Sequence, residues 1–352
     1  MLADTLASLQ PIDKTIADRV LAHLNRLTKP PGSLGRLESL AVTLATITGE
    51  AFPRVTPPGV LVFAADHGVA AEGVSAFPQA VTGQMVANFL AGGAAINVFA
   101  RQIGARLEVI DVGVAAELPG QAPEFVDEKV RFGTANFVER DAMTRAEAER
   151  AVEVGIRAAK RAIEGGCRCL IVGEMGIANT TASSALLAVL TGEPVANLIG
   201  PGTGIPESRL SHKQAIIERA IRARAPDRQD PMDMLAKLGG LEIAAMTGAY
   251  LGGASRRLPL LVDGFIATVA ALLACRLNPV VRDYLIFAHR SSEPGHVKAL
   301  VALGGEPLLD LELRLGEGTG AALAFPLLTA ATGMLADMAT FEAAGVAGGE
   351  GT

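Results

Sequence analysis

The residues best suited to chemistry stand where short apolar runs end or glycine clusters begin. The densest case is Arg314-Leu315-Gly316-Glu317-Gly318-Thr319-Gly320, which opens onto the apolar run Ala321–Ala324. Glycines permit positive φ and let a ligand approach without meeting a Cβ, and amides at a helix start favour anions. A lone carboxylate there is either a helix-terminus charge or a base held against a bound molecule. Three glycines exceed what a simple cap needs, which favours the base. Gly316-x-Gly318-x-x-Ala321 also fits a relaxed dinucleotide fingerprint, but that motif requires a second strand after its helix. The stretch Ala343-Ala344-Gly345-Val346-Ala347-Gly348-Gly349 and the end at Thr352 offer none.

Four other stretches carry polar groups in suggestive company. Glu174-Met175-Gly176-Ile177-Ala178-Asn179-Thr180-Thr181 follows an apolar run and precedes an Ala/Leu-rich one. Its Asn and Thr side chains can cap a helix, and Gly176 can expose amides to a phosphate; an ordinary capped loop fits the same residues. It is not a GxxxxGK[ST] loop. Gly200-Pro201-Gly202-Thr203-Gly204 is a second glycine loop with Lys213 beyond it, either a phosphate partner or a solvated helix charge. Asp66-His67 can do acid–base work or simply shape a strand end. Ser291-Ser292-Glu293-Pro294-Gly295 can complete an anion pocket or cap a helix from His296. Phe77, Pro78 and Met85 supply apolar surface. His289 and His296 are too isolated to argue for a metal, and Cys167, Cys169 and Cys275 read as small buried apolar residues of a reducing compartment.

The elements that must position these residues are legible. Val60–Ala65, Leu107–Ile110, Cys169–Gly173, Pro259–Val262 and Tyr284–Ala288 are short β-rich runs separated by alanine-rich helical stretches such as 142–164, 207–225 and 266–277. This alternation predicts parallel βαβ units buried on both faces. Each run ends on a polar residue, namely Asp66, Asp111, Glu174, Asp263 or His289, and ligands bind beyond the carboxyl ends of such strands. These residues, with Glu317, should therefore gather at one edge. Residues 12–27 show helical spacing with Pro11 near the first turn. Ser33 reads as the N-cap of a second helix. Pro53–Gly59 reads as a boundary. Leu309–Leu315 alternates as a half-exposed strand would, with a short helix as the alternative. A last helix over about 321–343 returns toward the N-terminal pair. The expected organisation is helices in 1–50, an α/β core over 51–320 and a helix within 321–352 joining the first.

Composition sets limits. The 352 residues are 50% hydrophobic and 19% charged, enough for one large core. The net charge of −6 comes without a basic stripe, so nucleic acid and anionic membrane are not expected partners. The N-terminus lacks a signal-peptide layout, and the longest uncharged apolar run, Gly264–Cys275, is too short to span a bilayer. A cytoplasmic location is expected.

Lys29–Glu38 (Lys-Pro-Pro-Gly-Ser-Leu-Gly-Arg-Leu-Glu), Ala65-Asp-His-Gly-Val69, Glu174–Thr181, Leu261-Val-Asp-Gly-Phe265 and Arg314–Ala324 together resemble the nicotinate-nucleotide–dimethylbenzimidazole phosphoribosyltransferase family, in order, from about residue 25 to about residue 330. The resemblance implies transfer of 5-phosphoribosyl from nicotinate mononucleotide to 5,6-dimethylbenzimidazole, giving α-ribazole 5′-phosphate for the cobalamin lower ligand. It implies a Rossmann-like, doubly wound, mainly parallel sheet, a small helical domain from both termini, a homodimer, and no cofactor or metal. Glu317 would be the general base, and Glu174 or Asp263 would steady positive charge at the reacting sugar. Gly176, Thr180, Gly202, Lys213, Asp263 and Ser291 would serve phosphate and ribose. Phe77, Met85, Met175 and Leu315 would line the base pocket, whose loop Ser75–Pro78 varies within the family. Other readings are a dehydrogenase, a non-catalytic nucleotide-binding module, and transfer to adenine, a phenol or another base.

Overall fold

The computed structural model describes residues 1–118, 122–202 and 204–347; Thr203 of the second glycine loop and residues 348–352 lie outside them. The strands are β1 (Pro58–Ala65), β2 (Arg106–Gly113), β3 (Phe125–Asp127), β4 (Cys169–Met175), β5 (Leu260–Val262) and β6 (Leu285–Phe287). The helices in the first half are α1 (Leu2–Ser8), α2 (Thr15–Leu24), α3 (Arg36–Thr48), α4 (Val81–Leu90), α5 (Ala95–Gln102), α6 (Arg145–Glu164) and α7 (Asn179–Thr191). Those in the second half are α8 (Leu210–Arg224), α9 (Pro231–Leu238), α10 (Leu241–Ala254), α11 (Phe265–Leu277), α12 (Pro294–Leu303), α13 (Thr319–Asp337) and α14 (Phe341–Ala344).

The β-rich runs pair because each can bury both faces: every residue of β1 is buried, and β4 is buried until Met175. All pairings are parallel, in the order β3-β2-β1-β4-β5-β6. The chain steps outward from β1 on one side and then crosses to β4 on the other, so the order reverses between these two central strands. Loops leaving their carboxyl ends diverge there and open a crevice. Helices α6, α10 and α11 pack on the sheet in one layer, with α4, α5 and α13 in the other.

The two ends of the chain meet. Leu27 and Thr340 form an antiparallel bridge, the Thr28 amide donates to the Ala339 carbonyl and the Phe341 amide to the Arg26 carbonyl. Helix α13 packs against α3 and α5, while α1 lies instead against α6 and α10. By length and composition α13 could cross a membrane, but 56% of its most apolar 18-residue window is buried inside the protein.

Several local expectations are corrected. The helix expected over 12–27 spans only Thr15–Leu24, well clear of Pro11, and the Asp13 carboxylate accepts from the Thr15 amide. Ser33 does not cap α3; Gly35 holds that position, and the Glu38 side chain reaches back to the Leu34 amide. Leu309–Leu315 is neither strand nor helix. It lies beside the loop after β6 and turns left-handed at Glu312 (φ 57°), with the Arg290 amide donating to the Leu309 carbonyl and the Ser292 amide to the Leu313 carbonyl. The last helix stops at Asp337 and a separate short turn follows at α14. The strand β3 and helices α1, α4, α5, α9 and α10 add to the elements expected from the sequence, and the helix offered from His296 is α12, which starts at Pro294.

Candidate active site

The crevice holds a half-open cavity of about 430 Å³ whose wall includes Phe77, Met85, Glu174, Met175, Gly176, Thr180, Gly202, Asp263, Ser291, Leu315 and Glu317. Every site residue that the family resemblance implies is there except Lys213, which lies behind Thr180 and Gly202. A more open depression of about 760 Å³ between α7, α11 and α12 contains none of them.

Glu317 is placed by its backbone. Gly316, Glu317 and Gly318 have φ of 88°, 63° and 87°, three left-handed residues in a row. For glutamate this conformation is strained, by about 1–3 kcal/mol. Gly173 in β4 makes the turn possible, since a Cβ there would overlap the Glu317 carbonyl. The turn ends in the start of α13, whose Gly318 and Ala321 amides donate to the two oxygens of Asp263 at 3.2 and 2.9 Å. A carboxylate from the end of β5 thus caps a helix 55 residues further along the chain. The Glu317 side chain is 5% exposed and accepts from the Ile96 amide, in the first turn of α5, at 3.4 Å. Burial raises its pKa; the Ile96 amide opposes this, and the charge of Asp263 adds to it.

Glu174 ends β4 beside that turn, where a Cβ on Gly316 would strike its Oε1. The Asn179 side-chain amide donates to its Oε2. Burial, then the charges of Glu242 and Asp263, push the Glu174 carboxyl up to about 8, with Asn179 opposing. Glu174 is therefore mostly protonated at neutral pH. Asp263 is also raised by burial, against His289 and the amides it accepts from.

A cationic corner forms around Gly202. Lys213 Nζ donates to Thr180 Oγ1 at 3.0 Å and to the Gly200 carbonyl at 3.3 Å, and Arg314 donates to the Gly202 carbonyl at 3.2 Å. Burial lowers the Lys213 pKa to about 8 against the opposing charge of Glu293. The capping role expected of Asn179 and Thr180 is not what they do. Ala178, at φ 74°, is the N-cap residue of α7, while Asn179 serves Glu174 and Thr180 serves Lys213.

Asp66, His67 and Asp111 share the sheet edge but not the cavity wall. His67 Nε2 lies 2.6 Å from Glu242 Oε1 beneath Gly176, and both residues are fully buried. Asp111 pairs with Lys129 at 2.8 Å. The helix after Ser291 starts at Pro294, and the Ser291 amide donates to His296 Nδ1. Sequence reasoning did not assign Val81, Ile177, Asn179, Phe265, Ile266, Ala267, Glu293 or Arg314 to the wall, whereas His289 lies on it as its strand-end position suggested. Phe265–Ala267 had a usable signal, since they follow Asp263-Gly264 at a strand's carboxyl end. Phe77 and Leu315, both more than half exposed, stand at the mouth.

Known proteins match this chain over nearly its whole length. A phosphoribosyltransferase family profile matches residues 9–346. The nicotinate-nucleotide–dimethylbenzimidazole phosphoribosyltransferase of Chloroflexus aggregans is 53% identical over 98% of both chains, and that of Geotalea uraniireducens 51% over 99% of both. A crystal structure of the enzyme of the same name from Thermus thermophilus superposes with a TM-score of 0.91 at 49% identity, covering 96% of this chain and 100% of that one. The chain belongs to the nicotinate-nucleotide–dimethylbenzimidazole phosphoribosyltransferase family.

Proposed function

We propose that the chain transfers the 5-phosphoribosyl group of nicotinate mononucleotide to 5,6-dimethylbenzimidazole, with Glu317 as the general base. One observation carries the reading: a buried carboxylate on a strained turn shares a 430 Å³ cavity with apolar side chains and a cationic corner. The apolar group of Phe77, Met85, Met175 and Leu315 suits a flat hydrophobic base. Thr180, Gly202, Lys213 and Arg314 suit the phosphate, with Gly176 and Ser291 beside the ribose.

The nicotinate ring is a pyridinium in its nucleotide, so the C1′–N bond breaks to leave a neutral ring nitrogen and needs no acid. The benzimidazole lone pair attacks C1′ from the opposite face, which gives the α product. Its other N–H proton passes to Glu317, a step worth about 10²–10⁴-fold. Orientation and fixed charge around the oxocarbenium-like transition state supply the rest. Arrival of the cationic ring favours ionisation of Glu317 and Glu174, whose pKa values burial and neighbouring carboxylates raise. Asp263 serves that charge from behind, through α13.

The product feeds construction of the cobalamin lower ligand, in the cytoplasm. A homodimer, with the small helical unit built from 1–50 and 321–352 on the α/β core of 51–320, completes the reading; exposed Phe77 and Leu315 at the mouth support a covering partner. The test is a product assay: nicotinate mononucleotide with dimethylbenzimidazole, adenine and phenols, read by mass spectrometry. Formation of α-ribazole 5′-phosphate is expected, and absence of any ribosylated product overturns the assignment.

A further inference from the structure

Glu293 immediately precedes Pro294, the first residue of α12, where an acidic side chain ordinarily serves the amides of its own helix. It makes no such cap bond. Its Oε1 instead accepts from the Gly202 amide at 3.0 Å, across to the cationic corner. Lys213 and Arg314 both act electrostatically on this carboxylate, opposing the effect of its burial. Neither meets it in an ion pair within 4.0 Å among the described residues. Glu293 Oε2 is buried without a hydrogen-bond partner, against Gly200, where a Cβ would overlap it.

We propose that the Glu293 carboxylate is a built-in stand-in for phosphate: it seats on the Gly202 amide between Lys213 and Arg314 while the site is empty, and a phosphorylated substrate binds by displacing it. This rests on the reading above that the corner takes the 5′-phosphate. The carboxylate fits the corner poorly. It satisfies one amide, leaves one oxygen orphaned and stands off from both cations, and a buried polar atom left unpaired costs about 1–3 kcal/mol. A phosphate monoester brings three acceptor oxygens and nearly two charges, enough to reach the amide and both cations together. Gly202, at φ 53°, aims its amide into the corner from a conformation that favours glycine. Only a ligand that carries phosphate makes this exchange, so Glu293 lowers phosphate affinity by the cost of its own displacement, leaves the bare nucleoside unaffected, and screens the Gly202 amide and the two cations until phosphate arrives.

The experiment is calorimetric titration of the full chain at about pH 7, where Lys213 is charged, with sulfate as a tetrahedral dianion and nicotinate riboside as the phosphate-free control. Glu293→Gln and Glu293→Ala are expected to bind sulfate about 10-fold tighter than the parent, since a competing charge is gone. Both should bind the riboside within about 2-fold of the parent. Folding of each variant is read by circular dichroism. Sulfate affinity that fails to rise in the folded variants, or a riboside affinity that rises equally, overturns the proposal. Lys213→Met separates the two layers. If it abolishes sulfate binding while the Glu293 variants gain nothing, only the stand-in role falls. If it leaves sulfate binding unchanged, the phosphate corner is misplaced and both readings fall.

Discussion

Replacing Glu174 with Gln should make the protein more stable as pH rises, by an amount the structure sets. The folded-state pKa of about 8 lies above the ordinary value of 4.5, because burial and the charges of Glu242 and Asp263 disfavour the anion. The folded chain thus holds a proton that the unfolded chain releases. Stability from this group is fully present below about pH 4.5 and is lost as pH rises toward about 8. Linkage puts the loss at under about 1 kcal/mol at pH 5, about 3 at pH 7 and about 5 at pH 9. Glutamine has the shape of the protonated acid and can still accept from Asn179. The variant should match the parent at low pH and exceed it above neutrality. For 352 residues the unfolding entropy is about 0.7 kcal/mol per kelvin, so the gain at pH 7 is about 4 °C in Tm. Scanning calorimetry of both chains between about pH 5.5 and 8.5 reads the difference directly. Parallel Tm curves, or a parent that gains on the variant as pH rises, would refute the burial argument.

Three further outcomes are expected. Glu317→Gln should lower kcat by about 10²–10⁴-fold with nucleotide affinity retained; an unchanged kcat removes Glu317 as the base. Gly173→Ala places a Cβ on the Glu317 carbonyl and Gly318 amide, backbone that cannot move cheaply. It should cost about 1–3 kcal/mol and depress kcat further than its stability loss explains; a variant with parental Tm and kcat would show that the turn tolerates the shift. Because the Lys213 pKa is about 8, KM for the nucleotide should climb as pH rises through that value and the ammonium is lost. Lys213→Met should raise KM and flatten the profile, whereas a persisting alkaline limb belongs to another group.

What could be read in advance follows from period and punctuation. Five of the six strands were visible because runs such as Val60–Ala65 are apolar, β-rich and closed by a polar residue. The three-residue β3, which ends on an exposed Asp127, carries no such signal. Helix α10 is buried all round, with Gly248 packed on the Val152 carbonyl of α6, so it shows no amphipathic period. Leu309–Leu315 alternates like a strand but pairs with the loop after β6 and turns left-handed at Glu312, and alternation without a partner strand does not make a ladder. Ser33 and Thr180 were credible caps by type, yet Gly35 and Ala178 hold those positions; backbone geometry and a buried lysine claimed them first.

The sequence by itself determined that a parallel sheet forms, that polar residues end its strands and that Glu317 sits in a glycine turn, because burial period and glycine's dihedral freedom are local properties. Only the tertiary structure decided what each polar group does there. Asp263 caps α13, Glu242 takes His67 out of the cavity, Lys213 stands behind its wall, and Glu293 turns from its own helix to Gly202. Those roles depend on the partners that strand order brings within hydrogen-bonding distance and on how far burial shifts each charge, and neither is written in the spacing along the chain.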